Sequence, residues 1–269
     1  MFQYAFMIRA LVAGIAIALS TSLLGVNLVL SKNSLIGDGL SHVAFGSMAI
    51  GLAFNQEPLL ISLIVSIAAA FLILKASKSS IVSGDALIGI ISSSSLAIGV
   101  VMIQFKGMNA DISSYMFGSI LGINNTDVVI AIMIAIAVLV GFVLMYNRLF
   151  AITFDEPFAK AVGEKTDTYH SLLAIASSIV IVVGMRLMGA LLISGLIIFP
   201  TIIAMRWFHS YKTVTFSAVC FGIINFVLGL YLSANMNLPT GATIILVNLS
   251  VLLVSIIITS FLSQSSYSN

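Results

Sequence analysis

The chain has 269 residues, 60% of them hydrophobic and 7% charged, with a formal net charge of +2 and a mean hydropathy of +1.20. A soluble domain carries roughly 25% charged residues, so composition excludes one and predicts an all-α polytopic membrane protein. The sparse, scattered positive charge excludes nucleic acid as a partner, and the single cysteine, Cys220, excludes an intrachain disulfide or a cysteine-based zinc site.

Apolar runs long enough to cross the hydrocarbon layer predict about nine transmembrane helices. They lie at 8–30, 35–54, 58–75, 85–105, 127–146, 169–185, 188–205, 214–233 and 240–262. Only Met185-Arg186-Leu187 separates the sixth from the seventh, and fusing those two into one bent segment gives eight. The run after Arg9 reads as a first span rather than a cleaved leader, because no small-residue cleavage site ends it. Connections are short, so residues 1–269 read as a single transmembrane domain, and nucleotide hydrolysis belongs to another chain. Placing the 31–34 turn in the cytoplasm puts Lys32, Lys75, Lys78, Arg148, Lys160, Lys165, Arg206 and Lys212 inside. Arg9, Lys106 and Arg186 then lie outside, an asymmetry that predicts an external N-terminus and an internal C-terminus.

The second span opens with Leu35-Ile36-Gly37-Asp38-Gly39-Leu40-Ser41-His42. Asp38 and His42 are four residues apart and share a helical face. Ionisable groups in a membrane helix mark sites or pathways, and a carboxylate with an imidazole suits a divalent transition metal. The structural alternative is a helix cap plus an interhelical hydrogen bond, and the residues alone leave both open. Gly37-Asp38-Gly39-Leu40 recurs as Gly84-Asp85-Ala86-Leu87 at the start of the fourth span, but Gly89 stands where His42 stood. Asp85 therefore reads as an ordinary N-cap.

The 149–168 connection is the most charged part of the chain. Asp155 and Glu156 ahead of Pro157 suit the first turn of a short helix. Phe158, Ala159 and Val162 are expected on one side of it, and Gly163 at its end. It is either a solvated loop or an amphipathic helix presented to a cytoplasmic partner. Further on, Gly189, Ala190, Ser194 and Gly195 permit close helix approach, and Pro200 invites a kink. Asn248 reads as interhelical glue. His170 and His209 read as solvated; Glu57, Asp111 and Asp127 lie in external loops, where help with ion entry and plain loop solubility explain them equally well. There is no phosphate loop, nucleophile elbow or His-Glu-x-x-His motif.

Four stretches, in order and at suitable separations, resemble the membrane permease subunit of manganese/zinc/iron ABC importers. They are Ser34–His42, Thr153–Gly163, Gly189–Arg206 and Leu238-Pro239-Thr240-Gly241-Ala242. The resemblance implies a type II ABC importer permease fold in the cytoplasmic membrane of a prokaryote, surrounded by membrane lipid. It further implies a homodimer with the pathway at its interface, a cytoplasmic ATP-binding subunit, and an extracytoplasmic metal-binding protein that delivers the ion. Asp38 and His42 would contact the metal, and Asp155, Glu156, Phe158, Ala159 and Gly163 would belong to the helix that couples to the ATPase. No cofactor is expected to be permanently bound; the metal is cargo, carried by alternating access. After the motif, Val43-Ala44-Phe45-Gly46 resembles the zinc-type members, since manganese-type members tend to carry Ala-Val-Leu-Pro-Gly there. Zn²⁺ is therefore expected first, then Mn²⁺ or Fe²⁺. The competing readings are an ABC permease for a metal chelate such as a siderophore, and a non-transport intramembrane metal-binding protein.

Overall fold

The computed structural model describes residues 5–77, 84–106 and 122–267, and every regular element of any length within them is an α-helix. Lys78 and Asp111 lie outside the described residues. In chain order the helices are α1 (Ala5–Leu30), α2 (Leu35–Ala53), α3 (Pro58–Ser77), α4 (Gly84–Phe105) and α5 (Asn125–Phe154). Then follow a short α6 (Glu156–Ala161), α7 (Thr166–Met188), α8 (Ala190–Trp207), α9 (Tyr211–Met236) and α10 (Thr240–Tyr267). Among the described residues eight helices are long and apolar enough to cross a membrane, and α3 is a further apolar helix packed on α2, α4 and α7. The chain is thus the expected all-α multi-pass membrane protein.

The segment at Met185–Leu187 is not a bend. α7 ends at Gly189, whose φ of 91° and ψ of 153° suit a residue without a side chain. The chain then doubles back, so that Gly184 of α7 lies against Ile193 of α8. Two antiparallel helices result. Pro200 sits buried inside a continuous α8, where the Thr201 hydroxyl donates back to the Ile197 carbonyl at 3.4 Å.

Several helices outlast their apolar runs. The run that forms α5 predicts an end near Tyr146, yet the helix continues to Phe154. The added turns are held by aromatic packing: Phe150 and Phe154 lie 5.4 and 6.1 Å from the Tyr211 ring at the start of α9. Thr153 also donates to Asn27 Oδ1 at 3.2 Å, and Tyr211 donates to the same oxygen at 2.8 Å. Asn27 is fully buried, so one amide ties α1, α5 and α9 together at one end of the bundle. Such polar bonds fix helix neighbours where apolar contacts alone do not discriminate. Asn248 plays the expected structural part, accepting from Asn225 at 2.9 Å between α9 and α10.

Contacts between helix ends sort the bundle into two faces. Arg148, late in α5, meets Tyr169, early in α7; at the other end Arg186 of α7 lies 3.7 Å from Asp127, early in α5. Lys106 stands over the Phe54 ring, so α2 and α4 end on a common side. The up-and-down order matches the alternation expected from the charged residues. α1 and α2 are mostly buried, whereas α4, α5 and α10 are mostly exposed at the periphery.

Candidate functional site

α2 is the helix that other helices close around. Gly46 approaches α4 so closely that a Cβ there would come within 2.2 Å of the Ser95 carbonyl oxygen. Gly39 faces Ile88 of the same helix, so α2 and α4 run in parallel. On another flank Gly37 faces Ile197 of α8, and Ser41 lies 3.3 Å from Ser194 of α8. On a third, Ser62 of α3 donates to the Ala44 carbonyl at 3.0 Å. At 100° per residue, Asp38 and His42 fall between the α4 and α8 flanks, opposite α3.

There the side chains stay accessible. His42 Nε2 lies 3.8 Å from Asp38 Oδ2, with the imidazole 23% and the carboxylate 49% exposed. The pair is therefore formed, as the spacing predicts, but loosely. Asp38 is not a cap: α2 begins at Leu35, its N-cap Ser34 makes no side-chain bond, and the Asp38 carboxylate turns toward His42. A carboxylate oxygen and an imidazole nitrogen at this separation can both reach one cation. Among the described residues no group of three or more His, Cys, Asp or Glu converges in one chain.

The second Gly-Asp copy differs, and differs from expectation. Asp85 is not the N-cap of α4 but an exposed residue within its first turn, where its charge favours the helix dipole. Asp127 is not a loop residue either. It closes a capping box with Asn124, its amide donating to Asn124 Oδ1 at 2.9 Å, and it is buried beside Arg186. Glu57 and His209 are exposed as expected.

α6 follows α5 after a single residue. Asp155 accepts from the Phe158 amide at 2.9 Å, Pro157 stands in the first turn, and the chain leaves through Gly163 at φ 91°. The expected start and stop signals thus operate. The expected single apolar side does not: Ala159 is 0% exposed and turns in against Ile152 and Tyr169, while Phe158 and Val162 are 59% and 60% exposed. Ala159 seats the helix, and two apolar side chains project away from the chain.

His170 is not solvated, contrary to the reading from its charged neighbours. Its Nε2 lies 3.3 Å from Glu156 Oε2, and Lys160 holds Glu156 Oε1 at 2.7 Å. Lys160 above all, and then the charge of His170, hold the Glu156 carboxyl below its ordinary range against the opposing effect of burial. Arg148 completes the seat, donating to Tyr169 Oη at 2.6 Å and lying 3.6 Å from Glu164. Sequence reading misses Asn27, Arg148 and His170 here. A signal for Asn27 exists, as a polar side chain deep in an apolar run.

An open polar pair on a helix packed on three flanks, within a bundle of membrane-length helices, is an arrangement that a transporter's membrane subunit can use. The ABC 3 transport family profile matches residues 3–259. The chain belongs to that family and is a multi-pass permease of the prokaryotic plasma membrane. It is similar to the manganese import system permease protein ScaB of Streptococcus gordonii, 30% identical over 256 residues that cover 95% of this chain and 92% of that one. The high-affinity zinc uptake system membrane protein ZnuB of Haemophilus influenzae is 29% identical over 238 residues, covering 88% and 91%. The solved structure of PsaBC from Streptococcus pneumoniae in complex with Fab superposes with a TM-score of 0.85 at 30% identity, covering 94% of this chain and 91% of that one.

Proposed function

We propose that this permease imports a divalent transition metal ion, with Asp38 and His42 as its contribution to the transient binding site. The observation that carries the reading is the placement of this pair: α2 is sealed on three flanks by α3, α4 and α8, and the two ionisable side chains stand on the one that stays open. Manganese and zinc in the relatives' names support the cargo class. Two ligands are fewer than a closed site uses. A second copy meeting the open flank would bring another Asp38 and His42, so a homodimer with the pathway at its interface is part of the proposal. A site that must also release its ion gains from being incomplete in each half.

Zinc is the first reading for the cargo, on imidazole chemistry and on the Val43-Ala44-Phe45-Gly46 continuation. Manganese or iron is the second, favoured by the carboxylate. A separate ATP-binding subunit would dock on Phe158 and Val162 of α6, and its closure would drive alternating access. Asp155, Glu156, Ala159 and Gly163 would hold α6 in place for this. An extracytoplasmic binding protein would deliver the ion. The test is radiometal uptake by proteoliposomes holding permease, ATPase and binding protein. Asp38→Ala and His42→Ala are each expected to cut uptake at least about tenfold, and wild-type uptake by both would overturn the site. Competition among Zn²⁺, Mn²⁺ and Fe²⁺ in the same vesicles orders the cargo.

A further inference from the structure

Away from the Asp38 flank, α5 and α7 splay apart and leave a cavity of about 480 Å³ over α1. Its walls are apolar, with Met133, Val138 and Met145 on α5 facing Leu172 and Ile179 on α7. Gly141 lines it as well, and a Cβ at that position would meet nothing within 4 Å. The cavity does not end in the apolar region. Met145 and Leu172 also line a second cavity, of about 570 Å³, whose remaining walls include Arg148, Lys165, Thr168 and Tyr169. The two cavities thus adjoin at Met145 and Leu172, making a groove with an apolar trough between membrane helices and a polar pocket at their charged ends.

We propose that this groove binds one anionic phospholipid, with an acyl chain in the α5–α7 trough and its phosphate at Lys165, Arg148 and Thr168. Three observations select this occupant. On α5 the trough runs from Met133 to Leu149, sixteen residues or about 24 Å of helix, which lies within a hydrocarbon layer about 30 Å thick and gives an acyl chain room along the helix. The polar pocket is basic in balance: Glu164 is matched by Arg148 at 3.6 Å, and Lys165 is exposed and adds a further positive charge. Arg148 keeps a 59% exposed side chain even while it donates to Tyr169, and it lines the pocket. Basic pockets between membrane helices at the side rich in lysine and arginine suit anionic headgroups. The site touches the α6 seat through Arg148 and Tyr169, so a bound lipid would brace the joint between α5 and α7. Neither Asp38 nor His42 lines the groove, so the proposal stands apart from the metal site, while Val162 and Gly163 of the proposed docking segment line its polar end.

The test is native mass spectrometry of the full-length chain in mild detergent, incubated with equal amounts of phosphatidylglycerol and phosphatidylcholine bearing the same acyl chains. Wild type is expected to retain one phosphatidylglycerol per chain in preference to phosphatidylcholine. Lys165→Gln combined with Arg148→Gln is expected to lower phosphatidylglycerol retention about tenfold and to leave phosphatidylcholine unaffected. Gly141→Leu fills the trough and is expected to lower retention of both lipids, with elution and melting like wild type; Ala137→Leu gives a second filling variant should the first misfold. Equal retention of the two lipids by wild type, unchanged retention in the filling variants, or displacement by an equal concentration of inorganic phosphate would each overturn the proposal.

Discussion

Two of the charged clusters among the described residues are built in opposite ways. At Asp38 and His42 the two groups stand 3.8 Å apart, partly open, on a helix whose other flanks are closely packed, to backbone contact against α4. At Glu156 one carboxylate is gripped by Lys160 at 2.7 Å and His170 at 3.3 Å, on a helix of only six residues. Rigid support with unsatisfied ligands is what a site needs if a cation is to enter and leave. Satisfied charges on a short helix are what a structural seat needs, because six residues cannot hold a helix by themselves. On the proposed reading the looser pair would serve transport, while the tighter cluster holds α6 in place.

Substitutions at the open pair should break that contrast most sharply. His42→Ala is expected to cut metal uptake at least about tenfold, while the melting temperature stays within a degree or two of wild type; Asp38→Ala should behave alike. Asp85→Ala, in the second Gly-Asp copy, should transport normally. A large fall in melting temperature for His42→Ala, or a loss of uptake for Asp85→Ala, would erase the distinction. Asn27→Leu probes the opposite case. It leaves Tyr211 and Thr153 without their shared acceptor in a buried place, and the expected cost is about 1–3 kcal/mol in denaturant unfolding in detergent. Unchanged stability would show that this amide does not tie α1, α5 and α9.

Phe158→Ala tests the outward face of the seat. Co-purification of the ATP-binding subunit is expected to weaken about tenfold, the order of one lost interface anchor, with metal binding by the permease unchanged. Val162→Ala should do the same to a smaller degree. Association equal to wild type in both would remove α6 from the docking surface.

How far the sequence reaches follows the same division. The spans are legible because a membrane helix must be apolar along its length, and the signals at Asp155, Pro157 and Gly163 are legible because caps and breakers act locally. The Asp38–His42 pairing is legible as one helical turn. What escapes depends on residues far apart in the chain. His170 reads as solvated until α6 folds back and brings Glu156, fourteen positions earlier, against it. Ala159 shares a stripe with Phe158 by sequence, yet Ile152 and Tyr169 claim it for the interior. Asn147-Arg148 interrupts the apolar run of α5 and looks like its end, and only Tyr211 and Asn27 reveal why the turns beyond it stay helical. Asp127 looks like a loop carboxylate until Asn124 caps with it and Arg186 arrives from α7.

The smallest expected effect is that of pH on the α6 seat. Glu156 is held below its ordinary value of 4.5, chiefly by the Lys160 hydrogen bond. A carboxyl depressed in the folded state adds stability that is fully present above its unfolded value and is lost as pH falls through its folded value. Protonation of Glu156 should therefore leave the seat intact from neutral pH down to about 5 and loosen it only below the ordinary carboxylate range. Proteolytic cleavage between 155 and 165 reads this directly, since an unseated α6 exposes its backbone. Glu156→Gln should show at neutral pH the cleavage rate that wild type reaches only in acid, and should flatten the pH dependence. The exposure of the group limits the stability change to less than about 1 kcal/mol. A Glu156→Gln chain with the wild-type cleavage profile at every pH would show that Ala159 and Arg148, not the Glu156 cluster, hold the short helix down.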